Sequence, residues 1–293
     1  MEDSRERAEA TGRRARKPSW LKVKVPLGGG FSRVRKIVDG QHLHTVCEDA
    51  RCPNMDECWN RGTATFMILG DVCTRNCRFC AVQAGKPSPL DMDEPQRVAQ
   101  AVRELGLRHV VITSVTRDDL ADGGAGVFAE TIRRVREYVT HCTVEILVPD
   151  FQGSPASLRL VCEAKPNLFG HNVETVPRLY PRVRPQADYR RSLSVLRYAA
   201  EEGLWVKSGF MVGLGETEEE ILALLEDLRE AEVEVVTIGQ YLQPTKDHLP
   251  VQRFMHPEEF DAWKSKALGL GFRSVEAGPL VRSSYRADSA LCA

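Results

Sequence analysis

The chain has 293 residues, 42% of them hydrophobic, and a formal net charge of −1. That is enough apolar material for one large domain or two small ones, with no net field toward nucleic acid or an anionic bilayer and no stretch near the ~18 apolar residues of a membrane span. The opening MEDSRERAEATGRRARK has no apolar core and is no secretory signal, which predicts a cytoplasmic protein whose nine cysteines stay reduced.

Residues 1–17 are charged and free of aromatics, a composition that predicts a disordered tail. Arg13, Arg14, Arg16 and Lys17 in it are more simply solvated than bound to an acidic partner. Residues 18–63 carry three cysteines and little periodicity and are expected to form an extension. From residue 65 apolar runs alternate with helical patterns. Strands are predicted over 65–69, 109–115, 143–148, 168–173, 205–212 and 235–242, and helices over 94–105, 126–139, 157–162, 189–202, 217–231 and 257–270. Thr217 ahead of Glu218, Glu219 and Glu220, and Pro257 ahead of Glu258 and Glu259, are helix-start signals.

One helix per strand implies parallel βαβ units, and nearly continuous apolar strands imply burial on both faces. The pattern predicts an α/β fold, a partial (β/α)6 TIM-type barrel over 64–271, with an N-terminal extension at 18–63 and a C-terminal one at 272–293. An open doubly wound sheet is the other solution. Barrel sites lie at the C-terminal ends of the strands. Cys73, the 114–124 segment, Asn172 with Glu174, and the 213–216 segment all fall there.

Cysteine carries the chemistry. Cys73-Thr-Arg-Asn-Cys77-Arg-Phe-Cys80 is C-x3-C-x2-C. Three thiolates on one short loop can cover three irons of a cubane and leave the fourth open to a small molecule. Structural zinc wants four protein ligands and the loop offers three, so on spacing alone both metals stay open. Cys47, Cys52 and Cys58, in C-x4-C-x5-C, are equally open between zinc and a second cluster. Cys142 and Cys162 sit in or beside apolar segments and read as inert buried thiols; Cys292 is a tail residue.

Three other features bear on the site. TRDDLADGGAG at 116–126, with Gly123 and Gly124, is either a turn capping the next helix or a backbone loop against a cofactor. Gly213-Leu-Gly215-Glu216 lacks the third glycine of a dinucleotide fingerprint and follows the fifth strand, which rules out a Rossmann reading but leaves room for close backbone approach to a ligand. Asn172 and Glu174 stand two apart, hence on one face of a strand. A carboxylate suits hydroxyls or an ammonium and an amide suits a carboxylate; a surface loop is the plain alternative. His171 beside them reads as structural.

C-x3-C-x-aromatic-C, with Phe79 as the aromatic, placed after the first strand of a βα series, resembles the signature of the radical S-adenosylmethionine superfamily. With the upstream triplet, the chain after Lys17 resembles the lipoyl synthase family. The stretches that carry this are PSWLK at 18–22, TVCEDARCPNMDECW at 45–59, ATFMILGDVCTRNCRFCA at 64–81, ITSVTRDDLADGGA at 112–125, HNVETV at 171–176, KSGFMVGLGET at 207–217 and GPLVRSSY at 278–285.

That resemblance implies two 4Fe-4S clusters and S-adenosyl-L-methionine as cofactors. Cys73, Cys77 and Cys80 would hold the cluster that cleaves S-adenosylmethionine, beside a site lined by Phe79, Gly123, Gly124, Asn172 and Glu174. Cys47, Cys52 and Cys58 would hold an auxiliary cluster that gives up sulfur. Its fourth ligand would come from Arg282-Ser283-Ser284-Tyr285; adjacent side chains point in different directions, so one serine alone is expected to ligate, and the resemblance favours Ser284 over Ser283. The implied reaction inserts sulfur at C6 and C8 of an octanoyl group on a lysine of a lipoyl carrier domain. Such carriers are the 2-oxoacid dehydrogenase E2 subunits and the glycine cleavage H protein. Implied partners are a ferredoxin or flavodoxin reductant and an iron–sulfur carrier for cluster repair, with neither nucleic acid nor membrane. A biotin synthase-like enzyme and a non-redox zinc-ribbon module are the alternatives; the upstream triplet and the RSSY segment argue against the first.

Overall fold

The computed structural model describes residues 17–22, 29–49, 52–60, 64–285 and 287. Cys292 and all of the expected tail at 1–17 except Lys17 lie outside them. The strands are β1 (His44–Thr45), β2 (Thr65–Ile68), β3 (Val72–Cys73), β4 (Gln83–Ala84), β5 (His109–Ser114), β6 (Thr143–Leu147), β7 (Leu168–Gly170), β8 (Val206–Val212), β9 (Val235–Gln240) and β10 (Ser274–Gly278). Eight of them form one sheet in the order β1-β2-β5-β6-β7-β8-β9-β10. All neighbours run parallel except β1, which pairs antiparallel with β2. β1 and β10 are the two edges, so the barrel is partial. β3 and β4 make a separate parallel pair.

Helices Glu94–Leu105, Ala125–Tyr138, Pro155–Glu163, Tyr189–Glu201, Glu218–Glu230 and Pro257–Gly269 alternate with the strands. Each forms for a local reason. Val98, Ala99, Ala101, Val102 and Leu105 give Glu94–Leu105 a buried stripe at helical spacing, and Gly106 ends it at φ 67°. Thr217 and Glu220 form a reciprocal capping box in front of Ile221, Leu224, Leu225 and Leu228, which are buried. Ser154 and Asp188 cap two more helices through their side-chain oxygens.

The six expected strands are present, and three details differ from expectation. A further parallel strand, β10, lies on β9 within the segment expected as an extension. Its sequence, Ser-Val-Glu-Ala-Gly, buries only Val275, so no apolar run marks it. Helix Gly29–Gly40 lies in the extension expected to lack pattern. Among the side chains described there, its stripe is Val34, Ile37 and Val38, half hidden among basic residues. The fourth strand stops at Gly170 instead of reaching Val173. The chain bulges out over His171–Val173 and rejoins β8 at Glu174, which bridges to Phe210.

The floor of the barrel, opposite the mouth, is ionic. Lys207 Nζ sits 2.7 Å from Glu145 Oε1 and His109 Nε2 3.5 Å from Glu145 Oε2, with all three side chains buried. Burial raises the Glu145 pKa, but Lys207 and His109 outweigh it and hold the carboxyl below its usual range. Among the described residues no helix is long and apolar enough to cross a membrane.

Candidate functional site

β2 runs out through Leu69 and Gly70, and β3 then delivers Cys73 to the mouth. Cys73 Sγ accepts from two backbone N–H groups, Thr116 N at 3.3 Å and Arg75 N at 3.4 Å. Thr74 ties the loop to the end of β5, donating to Thr116 O through both N and Oγ1. Farther along, Arg78 N donates to Val183 O, and His248 Nε2 lies 2.7 Å from Cys80 O. Phe79 is half-buried and packs on the core. Cys73, Cys77 and Cys80 are half-buried and none is in a disulfide.

Arg75, between the first two cysteines, anchors the loop more firmly than any of these contacts. Its guanidinium reaches Asp118 at 2.7 and 2.9 Å and Asp150 at 2.7 and 3.0 Å, a fork on each side. Burial raises the Asp150 carboxyl, but the Arg75 bond and charge outweigh it and leave a pKa of about 2.

Burial pushes the Cys80 thiol up to about 12. It raises Cys77 as well, against the opposing charge of Arg184. Such thiols keep their protons at neutral pH until a metal draws them off. Among the described residues no three of His, Cys, Asp and Glu converge closely enough for a single ion. A cubane spreads its iron corners wider than one ion does. Three accessible sulfurs on one anchored loop, one already receiving peptide N–H bonds, are a donor set that fits such a cluster.

The bulge after β7 brings together residues the sequence had paired by strand alternation. Asn172 is 8% exposed and Glu174 half-buried. Asn172 Nδ2 donates to Glu174 Oε1 at 3.1 Å and to Ser283 Oγ at 2.6 Å, while Asn172 Oδ1 is buried with no partner. Glu174 has φ 66°, and Thr175 N donates across it to Val173 O. A non-glycine residue in that tight a turn is strained, as residues at ligand sites often are. A Cβ on Gly209 would lie 2.3 Å from Thr237 Oγ1 and 3.0 Å from Asn172 Oδ1, so β8 makes room for the amide by having no side chain there. Arg184 is buried under the bulge. It donates to Asn172 O at 2.9 Å, its Nε has no partner, and its charge acts on both Cys77 and Glu174. Sequence reasoning missed Arg184, which sits in a run of prolines and arginines with no periodic signal.

Gly123 and Gly124 both take positive φ in the turn, 62° and 89°. Gly124 caps Ala125–Tyr138 at φ 89°, and a Cβ there would lie 2.3 Å from Leu69 Cδ1. Gly213, at φ 96°, is likewise pressed against Gln240 and Arg253 O. Cys142 and Cys162 are buried thiols raised by burial to about 11 and about 12.

His171 is structural, as expected: it is 1% exposed, with Nδ1 2.8 Å from Val148 O. Burial, then the positive charge of Arg184, lowers its pKa from 6.5 to about 4. A base with a depressed folded pKa adds nothing to the pH dependence above its unfolded value. As pH falls from 6.5 toward 4 the unfolded chain takes a proton that the folded chain refuses, so stability drops by about 1.4 kcal/mol per pH unit from this group. His171→Gln keeps a donor for Val148 O and should show a shallower loss of urea-unfolding free energy over that window than the parent chain. Equal slopes would show that the imidazole is not held neutral.

The other triplet lies wholly in the N-terminal extension, and the C-terminal segment packs against it. Cys47 lies on helix Val46–Asp49 and Cys58 on helix Met55–Asn60. Cys52 N donates to Cys47 O and Cys58 N to Asn54 O. Burial pushes Cys47 up to about 11 and also raises Cys52, against the charge of Arg282. The C-terminal segment docks directly on this unit. Asn54 Nδ2 donates to Leu280 O at 2.6 Å and Tyr285 OH to Glu57 Oε1 at 3.3 Å. Ser283 is occupied by Asn172, whereas the Ser284 hydroxyl has no partner among the described residues. The structure thus places the RSSY segment between the upstream triplet and the barrel mouth, where sequence spacing could not put it.

A partial barrel with three thiols on the loop after its first parallel strand defines the class, and the comparisons agree. The radical SAM superfamily model matches residues 67–228. Among solved structures, methylornithine synthase superposes with a TM-score of 0.55 at 16% identity, covering 85% of this chain and 82% of that one. Streptococcus suis SuiB bound to S-adenosylmethionine superposes at 0.58 and 11% identity, covering 76% and 54%. At those identities the likeness is one of fold. The model for the N-terminal domain of lipoyl synthase matches residues 2–52. Lipoyl synthase of Rubrobacter xylanophilus is 60% identical over 278 residues, 94% of this chain and 86% of the relative. That of Halalkalibacterium halodurans is 56% identical over 276 residues, 93% and 91%. The chain belongs to the lipoyl synthase family of the radical S-adenosylmethionine superfamily.

Proposed function

We propose that the chain inserts two sulfur atoms, at C6 and C8, into an octanoyl group carried on a lipoyl carrier domain. When bound, the two 4Fe-4S clusters and S-adenosylmethionine supply the hydrogen abstraction at unactivated carbon and the sulfur, chemistry no side chain can provide. The protein's own residues bind and orient. Cys73, Cys77 and Cys80 are the ligands at the barrel mouth. Asn172 and Glu174 offer an amide and a carboxylate to the polar end of S-adenosylmethionine, and Phe79, Gly123 and Gly124 complete the lining. Cys47, Cys52 and Cys58 are the ligands at the second site, and Ser284 is the fourth. A hydroxyl is a harder donor than thiolate and a weaker partner for a soft cluster, so it suits a corner that must let go when sulfur leaves.

The observation that carries this reading is the position of the C-terminal segment: docked on the helix of Cys58, with Ser283 turned to the mouth and Ser284 left open. The substrates are the octanoylated E2 subunits of 2-oxoacid dehydrogenases and the glycine cleavage H protein. A ferredoxin or flavodoxin supplies electrons, an iron–sulfur carrier rebuilds the spent cluster, and the reducing cytoplasm keeps the thiols free.

Anaerobically reconstituted protein should bind about eight irons, four for each thiol triplet. With S-adenosylmethionine, a reductant and an octanoylated carrier peptide it should yield a peptide heavier by two sulfurs, which loses two hydrogens only when its thiols are afterwards oxidised to the disulfide. About four irons with zinc at the second site, or 5′-deoxyadenosine without sulfur in the peptide, would refute the reading.

A further inference from the structure

Ser283 and Ser284 are the two central residues of a turn closed by Tyr285 N donating to Arg282 O at 2.9 Å. The turn is pinned at both ends. Before it, Leu280 O accepts from Asn54; after it, Tyr285 OH reaches Glu57. The motion left to such a turn is a roll about the line joining its ends, which carries the two central side chains round together. Among the described residues a single hydrogen bond on those side chains opposes the roll: Asn172 Nδ2 to Ser283 Oγ, at 2.6 Å. Asn172 is a firm post for it. It is buried, Arg184 holds its backbone carbonyl, and its other N–H is spent on Glu174.

We infer that Ser283 is the residue that aims Ser284: bonded to Asn172 in the barrel mouth, it fixes the turn so that the neighbouring hydroxyl faces the Cys47, Cys52 and Cys58 unit. The two serines then have separate tasks, one holding the cluster and the other holding the holder. The hold on the second cluster is thereby tied to a residue of the S-adenosylmethionine site. This rests on Ser284 being the fourth ligand, so the test must separate the two claims.

The measurement is the rate at which a chelator strips the first iron from the second cluster. It is followed by the electron paramagnetic resonance signal of the three-iron product, and needs no turnover. It is made in the full reconstituted chain and again with Cys73, Cys77 and Cys80 replaced by Ala, so that only the second site is loaded. Ser283→Ala should lose iron roughly tenfold faster than the parent, the ratio that corresponds to about 1.4 kcal/mol, the upper range of one hydrogen bond. Asn172→Ala should do the same, and the double variant should be no faster than either single one, because both remove one contact. Ser283→Thr, which keeps the hydroxyl, should return toward the parent rate. Circular dichroism checks that each variant is folded.

If Ser284→Ala loses iron fast while Ser283→Ala behaves as the parent, the aiming role is wrong and the ligand assignment stands. Parent rates in both serine variants overturn the ligand assignment and the aiming role together. Additive effects of Ser283→Ala and Asn172→Ala overturn the claim that their mutual bond is what matters.

Discussion

Replacing any one of Cys73, Cys77 or Cys80 with Ala abolishes formation of 5′-deoxyadenosine, whereas replacing Cys47, Cys52 or Cys58 leaves that product and removes sulfur from the peptide. The expectation comes from how the two triplets are built. The first lies on one loop held by Thr74, Arg75 and His248 against the barrel. The second is held by the extension and the C-terminal segment. Loss of one thiol leaves two where the cluster needs three, and neither loop has a neighbouring cysteine to substitute. Each set of variants should retain about four irons, those of the untouched triplet. Iron content, 5′-deoxyadenosine and peptide mass, measured on the same folded samples, decide it. Equal loss of 5′-deoxyadenosine in both sets would mean that the triplets do not act separately.

The largest effect on stability is expected from Arg75→Ala. Arg75 and Asp150 are 5% and 0% exposed, and Asp118 completes the pair of forks. Deleting the cation leaves the buried Asp150 carboxylate with a distant charge partner, Arg191 at 3.4 Å, and one backbone hydrogen bond, from Gln152 N at 3.0 Å. Breaking a buried pair from one side costs about 3–5 kcal/mol. Arg75→Lys should recover little, since an ammonium cannot grip two carboxylates by two bonds each. Adding Asp150→Asn to Arg75→Ala removes the stranded charge and should restore part of the loss. Urea unfolding of the cluster-free protein at neutral pH reads all of these; a change below about 1 kcal/mol for Arg75→Ala would show that the pair is dispensable. The pH dependence has a definite sign. With the Asp150 pKa at about 2 instead of 3.8, the pair's contribution is intact above 3.8 and is lost as pH falls toward 2.

The sequence exposes the parallel strands because burial on both faces leaves apolar runs with no alternation, and it exposes the thiols because metal chemistry demands cysteine at fixed short spacing. β10 escapes it, since an edge strand needs only backbone pairing and Val275. Helix Gly29–Gly40 escapes because Val34, Ile37 and Val38, interleaved with basic residues, make a short stripe. Asn172 and Glu174 were legible as a pair for a reason that proved incomplete: strand alternation predicts their shared face, but the bulge and the positive φ of Glu174 bring them together. The Asn172–Ser283 contact was illegible because it joins residues 111 positions apart, and Arg184 because its bond to Asn172 O, 12 positions away, is made by the bulge and not by any helix or strand period.

The flanks and the barrel differ in how they are fastened, and that difference sets which part can come undone alone. The barrel's own thiol loop is clamped by buried ionic forks. The docking of the C-terminal segment includes hydrogen bonds from Asn54, Asn172 and Tyr285, the last of them exposed. Segments held this way open at a fraction of the free energy that unfolds the whole molecule. Under the proposed function, local opening of this segment would bare the second thiol site while the barrel stays folded, so that site could exchange its contents without global unfolding.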